Sequence, residues 1–169
     1  NKKWWAFLAL SVSGSSQALI APPLNWWPIT FFYLAPGIIA LTQLKPKQAF
    51  FGGWWLGISA QASIFYWVVH TASTFSNFPL PGAVGLLLLF AAGYGAYAAV
   101  FGWGFHWVRE ECGDWWPLGV AALFVACEFL NPQLFPYYQG VVWYQVPRFF
   151  LVTTLTGATF ITFQIVLWN

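Results

Sequence analysis

The sequence predicts an all-α fold, a polytopic transmembrane helix bundle of about six spans forming one domain over residues 1–169. Three observations lead there. Hydrophobic residues make up 60% of the chain and charged residues 6%, with 13 Trp, 18 Phe and 7 Tyr, so polar side chains cannot cover a water-facing globule of this size. Apolar runs recur at the length that a bilayer core demands and are interrupted by Pro, Gly and the few charges. The basic residues fall almost entirely in alternate breaks, as they do where one side of a membrane collects Lys and Arg.

The runs place spans at about 4–21, 27–43, 49–71, 83–107, 115–131 and 149–168. The first break, "APPLNWWP" from Ala21 to Pro28, is short and Pro-rich, which predicts that spans one and two form a tight antiparallel pair. The second break carries "KPK"; the third, "TFSNFPLPG", carries no charge. Lys2, Lys3, Lys45, Lys47 and Arg109 thereby share one side of the membrane, and Arg148 alone falls on the other. This predicts a cytoplasmic N-terminus, external loops around 72–82 and 132–148, and Asn169 emerging in the cytoplasm. The chain opens at Asn1 without Met, so its start is processed or lies upstream, and no cleaved signal peptide is legible.

Trp pairs at 4 and 5, 26 and 27, 54 and 55, and 115 and 116 fall near span ends, where indole rings anchor at the headgroup boundary. Small residues at four-residue spacing, Gly53 with Gly57 and Ala91 with Gly95 and Ala99, read as stripes that let helix backbones approach. "GYGAYA", Gly93 to Ala98, also fits a dinucleotide-binding pattern, but it sits inside a helix with no preceding strand, so it reads as coincidence.

Polar residues inside the spans are the candidates for function. Glu128 heads "EFLNPQLFPYYQG" at the external end of span five, and an ionisable group there needs a partner or a wet cavity. Asn131, the backbone freed before Pro132 and Arg148 are its candidate partners. It reads first as a brace for the break and second as the lining of a substrate cavity. His70 and His106 end spans three and four on opposite sides, which argues against one metal site between them and favours helix-end roles over haem or chlorophyll ligation. Cys112 and Cys127 lack metal-ligand spacing and read as free thiols. Arg109, Glu110, Glu111 and Asp114 read as a solvated turn. No nucleophile has a base beside it, since Cys127 and Glu128 are sequence neighbours on different helix faces. No catalytic, cofactor or metal residues are therefore expected. A net charge of +2 without a basic patch excludes nucleic acid, and lipids are the expected contacts.

From about Leu8 to Asn169 the chain resembles the membrane-embedded N-terminal half of bacterial apolipoprotein N-acyltransferase. The resemblance rests on the "NWWP" turn, "FFGGWWLGISAQASIFYWV" closing on Trp67, the "TF" and "PLPG" loop, "CEFL", "FPYYQGVVWYQ" and a last span closing on Asn169. It implies the span directions above, a bacterial inner-membrane location, and an enzyme that moves an acyl chain from phospholipid to a lipoprotein's amino-terminal cysteine. In that family the catalytic Glu, Lys and Cys belong to an external nitrilase-like domain that nothing here matches, and Cys112 and Cys127 do not inherit the role. The family pattern also has Arg three residues after the acid and Trp after "FP", where this chain has Asn131 and Tyr137. Glu128, Asn131, Tyr137 and Arg148 are thus the polar positions to follow. Two functions are expected: the membrane part of an acyltransferase completed by its catalytic domain, or a non-catalytic subunit packed into a larger membrane complex, photosynthetic or respiratory.

Overall fold

The computed structural model describes residues 2–132, 135 and 137–169, and among these it is helical with no strand. Helix α1 (Lys2–Ser15) runs almost directly into α2 (Gln17–Ile20), and after the Pro-rich break a 3-10 helix spans Trp27–Phe31. α3 (Ala35–Thr42), α4 (Pro46–Ile64), α5 (Trp67–Phe75), α6 (Leu80–Tyr94), α7 (Ala96–Glu111) and α8 (Trp116–Leu130) follow. Apart from a single 3-10 turn at Gly113–Trp115 ahead of α8, a second 3-10 helix, Gln139–Gln145, leads through the short α9 (Pro147–Phe150) and α10 (Thr153–Thr156) to α11 (Ala158–Trp168). Proline occupies one of the first positions of α3, α4, α6 and α8. There its missing N–H costs nothing and its fixed φ favours helix entry.

Several boundaries differ from the sequence reading. Among the described residues, two helical stretches are long and apolar enough to cross a membrane, Leu80–Glu111 and Gly113–Leu130. The first runs past both ends of the expected 83–107, starting at Leu80 and continuing through Arg109 to Glu111, and the α6–α7 junction at Gly95 barely interrupts it. The expected 27–43 span is divided into a 3-10 helix and α3, and the expected 49–71 span turns at Phe65 and Tyr66 between α4 and α5. The expected 149–168 span is only half regular: Gly157, at φ 77°, separates α10 from α11, a conformation that glycine adopts at little cost. The 132–148 stretch, read as an external loop, contains a 3-10 helix with Val142 and Trp143 buried in the core; its positions 133, 134 and 136 lie outside the described residues.

A seam of small residues organises the bundle. α4 packs most extensively on α7, where Ala49 meets Gly102, Gly53 meets Ala98 and Gly102, and Gly57 meets Gly95. This order makes the pair antiparallel. A Cβ at Gly53, Gly57 or Gly102 would run into a backbone carbonyl of the facing helix. "GYGAYA" therefore marks this seam, with Gly95 against Gly57. On the other side of α4, Leu10 lies by Gly52 and Gly14 by Leu56 and Ala60, so α1 and α4 run parallel. α3 joins α1 where the Gly37 N–H donates to Ser13 Oγ at 2.7 Å. α8 runs antiparallel to α7, with Gly104 on Leu123 and Gly119 on Val108 and Cys112.

These directions bring the start of α1, the α3–α4 break with Lys45 and Lys47, and the α7–α8 turn with Arg109, Glu110, Glu111 and Asp114 to one end of the bundle. Of the tryptophans read as anchors, Trp4 and Trp115 are strongly exposed, but the Trp54 indole donates to the Ala92 carbonyl at 2.8 Å and the Trp55 indole to Ser11 Oγ at 2.7 Å. Those two tie helices together. Arg109 lies over the Trp116 ring, 5.8 Å from its centroid.

The seam predicts opposite outcomes for one chemical change. Gly→Ala in a helix gains up to about 1 kcal/mol of propensity. At Gly85, where an added Cβ meets nothing within 4 Å, Gly85→Ala is expected to leave the melting temperature in detergent unchanged or raised. Gly53→Ala is expected to lower it, the clash with the Ala98 backbone outweighing the propensity by about 1–3 kcal/mol. Equal melting temperatures for the two variants would rule out close backbone contact at the seam.

Candidate functional site

The second 3-10 helix lies among helices, so its backbone N–H groups need protein partners. Glu128, near the C-terminal end of α8, supplies them. Its Oε1 accepts the Gln139 backbone N–H at 2.8 Å, and its Oε2 accepts the Thr162 hydroxyl of α11 at 2.9 Å. Thr162 Oγ1 in turn accepts the Gly140 N–H at 2.9 Å. Gly140 itself packs on the Ala158 carbonyl so closely that no Cβ would fit. One carboxyl group thus joins α8, the 3-10 helix and α11.

The side chain of Gln139 extends the network across the bundle. Its Nε2 donates to Gln17 Oε1 at 2.8 Å, and its Oε1 accepts the Tyr33 hydroxyl at 3.2 Å. Gln17, Glu128, Gln139 and Thr162 are all at most 3% exposed, and Tyr33 is equally buried. Tyr33, Tyr97 and Tyr137 all lie within electrostatic range of the Glu128 carboxyl. Two buried amide atoms, Gln17 Nε2 and Gln61 Oε1, have no hydrogen-bond partner among the described residues. The site is a polar layer sealed within apolar packing.

A second brace lies where α11 ends. The Asn169 carboxamide oxygen accepts the Leu34 and Ala35 N–H groups at 2.9 and 3.1 Å, capping α3, and its nitrogen donates to the Thr30 and Ile165 carbonyls at 2.6 and 2.8 Å. The Trp143 indole donates to Thr30 Oγ1 at 3.1 Å, and Trp168 stacks on both Trp143 and Phe31 with centroids 5.6 and 5.2 Å away, while those two rings meet each other at 5.6 Å. The expected break at Asn131 is held differently. Asn131 Nδ2 donates to the Tyr94 carbonyl at 3.3 Å, and the Tyr94 hydroxyl donates to the Phe135 carbonyl at 2.6 Å.

The four polar positions read from the sequence therefore separate. Glu128 is at the centre of the polar layer, and Tyr137 packs half-buried beside it. Asn131 bonds to the α6 backbone, and Arg148 is exposed on α9. His70 is exposed on α5; His106 is half-buried on α7, its Nε2 without a hydrogen-bond partner among the described residues. Both cysteines are free, Cys127 buried and Cys112 partly so. Gln17, Tyr33, Gln139 and Thr162 are not singled out by the sequence reading, and Asn169 is read there only as the end of the last span. The available signal was an amide or hydroxyl within an apolar run, as in "SSQALI" and "TFITFQIV".

A family profile described as the apolipoprotein N-acyltransferase N-terminal domain matches residues 13–169. The chain is 35% identical over 115 residues to apolipoprotein N-acyltransferase 2 of Leptospira interrogans serogroup Icterohaemorrhagiae serovar copenhageni, covering 67% of this chain and 18% of that protein. It is 28% identical over 128 residues to apolipoprotein N-acyltransferase of Pseudomonas putida, covering 76% and 25%. The corresponding protein of Geobacter metallireducens matches at 28% identity, covering 96% of this chain and 32% of that protein. The chain therefore spans less than a third of the length of these relatives.

Substitution at Glu128 separates charge from hydrogen bonding. In Glu128→Gln the amide oxygen can still accept the Gln139 N–H while its nitrogen donates to Thr162 Oγ1, so folded yield in detergent is expected to stay close to wild type. In Glu128→Leu both donors lose an acceptor, a loss of about 1–3 kcal/mol for each buried group left unpaired. Yield is expected to fall sharply. Equal loss in both variants, read by size-exclusion profile and melting temperature, would mean that the carboxylate acts through its charge.

Proposed function

This chain belongs to the family of apolipoprotein N-acyltransferase N-terminal domains, and on that premise we propose that it is the multi-pass membrane domain of a bacterial inner-membrane enzyme that transfers an acyl chain from phospholipid to lipoprotein. The observation that carries the reading is the family match over 13–169, which takes in all the helices from α2 to α11. Surface chemistry supports a hydrocarbon setting. Phe32, Phe75, Leu89, Leu130 and Leu155 are each more than 70% exposed, and a water-facing surface carrying so many large apolar side chains would associate or precipitate.

In this reading the domain holds and orients, and the thioester chemistry belongs to the nitrilase-like part of the enzyme. Among the described residues the polar layer links the Glu128 carboxyl, the Gln17 and Gln139 amides, the Thr162 hydroxyl and the Tyr33 phenol by hydrogen bonds. Cys127 lines a groove between α7 and α8 with Tyr97 and Asn131, while the Glu128 carboxyl is bonded to Gln139 and Thr162. Thiol and acid are adjacent in sequence and serve different surroundings. The bundle's charged end is assigned to the cytoplasm, because it carries Lys45, Lys47 and Arg109. The ends of α2 and α8, with the polar layer, then lie toward the external face, where the catalytic part would sit.

Two measurements test this. A chimera in which this chain replaces the matching N-terminal segment of the Geobacter metallireducens relative is expected to N-acylate a diacylated lipoprotein, detected as the mass increment of one acyl chain on its amino-terminal peptide. A chimera that is folded and membrane-inserted yet inactive would count against the assignment. A cysteine introduced as Asn77→Cys, with Cys112 and Cys127 replaced by Ser, is expected to react with a membrane-impermeant thiol reagent from the external side. Labelling from the cytoplasmic side alone would reverse the topology.

A further inference from the structure

At the charged end of the bundle, the antiparallel approach of α4 and α7 leaves a trough on the surface beside the glycine seam. It is a shallow, open trough of about 390 Å³, lined by Lys47, Phe50, Phe51 and Trp103. The contact of Ala49 with Gly102 brings these side chains to one rim. Phe50 and Phe51 meet edge to face at 5.4 Å, and Trp103 packs against Trp107 at 5.9 Å, so the wall is aromatic and continuous along α7. Phe51, Trp103 and Trp107 are each at least half exposed. Lys47 is exposed at the mouth and makes no ion pair with Glu110, Glu111, Asp114 or any other described acid. Lys45 lies two residues away at the N-terminal end of the same helix.

We propose that this trough seats one anionic phospholipid, its phosphate on the Lys47 ammonium and an acyl chain along Phe50, Phe51 and Trp103. Charge complementarity selects the occupant. A cation that pairs with no acid among the described residues, at the mouth of an apolar trough, matches a molecule that joins a negative headgroup to a hydrocarbon chain, and basic pockets between membrane helices on the cytoplasmic side bind such lipids. The indole rings of Trp103 and Trp107 belong at the headgroup boundary that this pose requires. Zwitterionic lipid offers the same chain without net charge, and free phosphate offers the charge without the chain. The proposal rests on the membrane reading above, and it concerns the face opposite the polar layer.

The test is a lipid titration of this chain in detergent, followed by native mass spectrometry with phosphatidylglycerol and phosphatidylcholine as probes. Wild type is expected to retain phosphatidylglycerol about fivefold better than phosphatidylcholine. Lys47→Gln is expected to bring the ratio close to one, and Trp103→Ala to weaken both lipids while leaving the ratio intact. Lys45→Gln is expected to lower the ratio less than Lys47→Gln. Excess inorganic phosphate is expected to leave phosphatidylglycerol bound. Equal retention of the two lipids by wild type, an unchanged ratio in Lys47→Gln, or an equal loss in Lys45→Gln would overturn the site. Carbonate extraction of membranes beforehand separates the two failures: a chain released into the supernatant sinks the membrane reading and this site together, whereas an embedded chain without headgroup preference sinks the site alone.

Discussion

Backbone groups outside regular helix have no water to bond inside an apolar bundle, and this fold depends on how they are satisfied from within. The helices attend to their own interiors. The breaks do not, and a small set of side chains attends to them: Ser13 for the start of α3, Asn169 for the same helix from the other side, Glu128 and Thr162 for the second 3-10 helix. Each of these is buried or partly buried, short, and aimed at a backbone group more than ten residues away in sequence. Glu128 differs from the others in offering two acceptor oxygens to two separate elements. That geometry suits a carboxyl, because one planar group can receive a backbone N–H and a hydroxyl at once.

The glycine seam solves a different difficulty. In the membrane setting proposed above, helices surrounded by hydrocarbon gain little from hiding apolar surface, so association relies on close packing and on the few available hydrogen bonds. Ala49, Gly53 and Gly57 on α4 with Gly95, Ala98 and Gly102 on α7 remove the side chains that would hold the backbones apart. Trp54, bonded to the Ala92 carbonyl, closes the flank of the same contact. Seam and polar layer occupy different parts of the bundle, the first fixing α4 against α7 and the second fixing α8, α11 and the second 3-10 helix.

Much of the architecture was legible because its causes are local or compositional. The all-helical class follows from long apolar runs, the presence of close-packing faces from Gly53, Gly57 and Gly95, though not which helices those faces join, and the gathering of Lys45, Lys47 and Arg109 from charge in alternate breaks. Glu128 stood out because a carboxylate in such surroundings is rare. Its partners were not legible: Asn131, one turn on, bonds to α6 instead, and Arg148 is exposed, whereas Gln139 and Thr162 lie 11 and 34 residues away with ordinary side chains. Long-range hydrogen bonds leave no periodic trace. The folded-in course of 139–145 was hidden for a related reason, since "QGVVWYQ" is short and apolar, and only its packing against α11 distinguishes it from a membrane-surface loop.

The polar layer also orders events in time. Gln139 bonds to Gln17 across 122 residues and to Tyr33 across 106, and Asn169 reaches Leu34 across 135, so these bonds require nearly the whole chain to be present. Contacts between α4 and α7 join residues much nearer in sequence, and loop closure favours the shorter separations first. As the polypeptide is made and inserted, the α1, α4 and α7 core can assemble while Gln17 and Tyr33 still lack Gln139. The 3-10 helix at Gln139–Gln145 supplies their partner, and Thr162 of α11, bonded to Gly140 and Glu128, holds it there. Until then the nascent bundle holds amide and phenol groups that lack these partners, and docking of residues 139–145 with α11 converts that provisional assembly into a finished one.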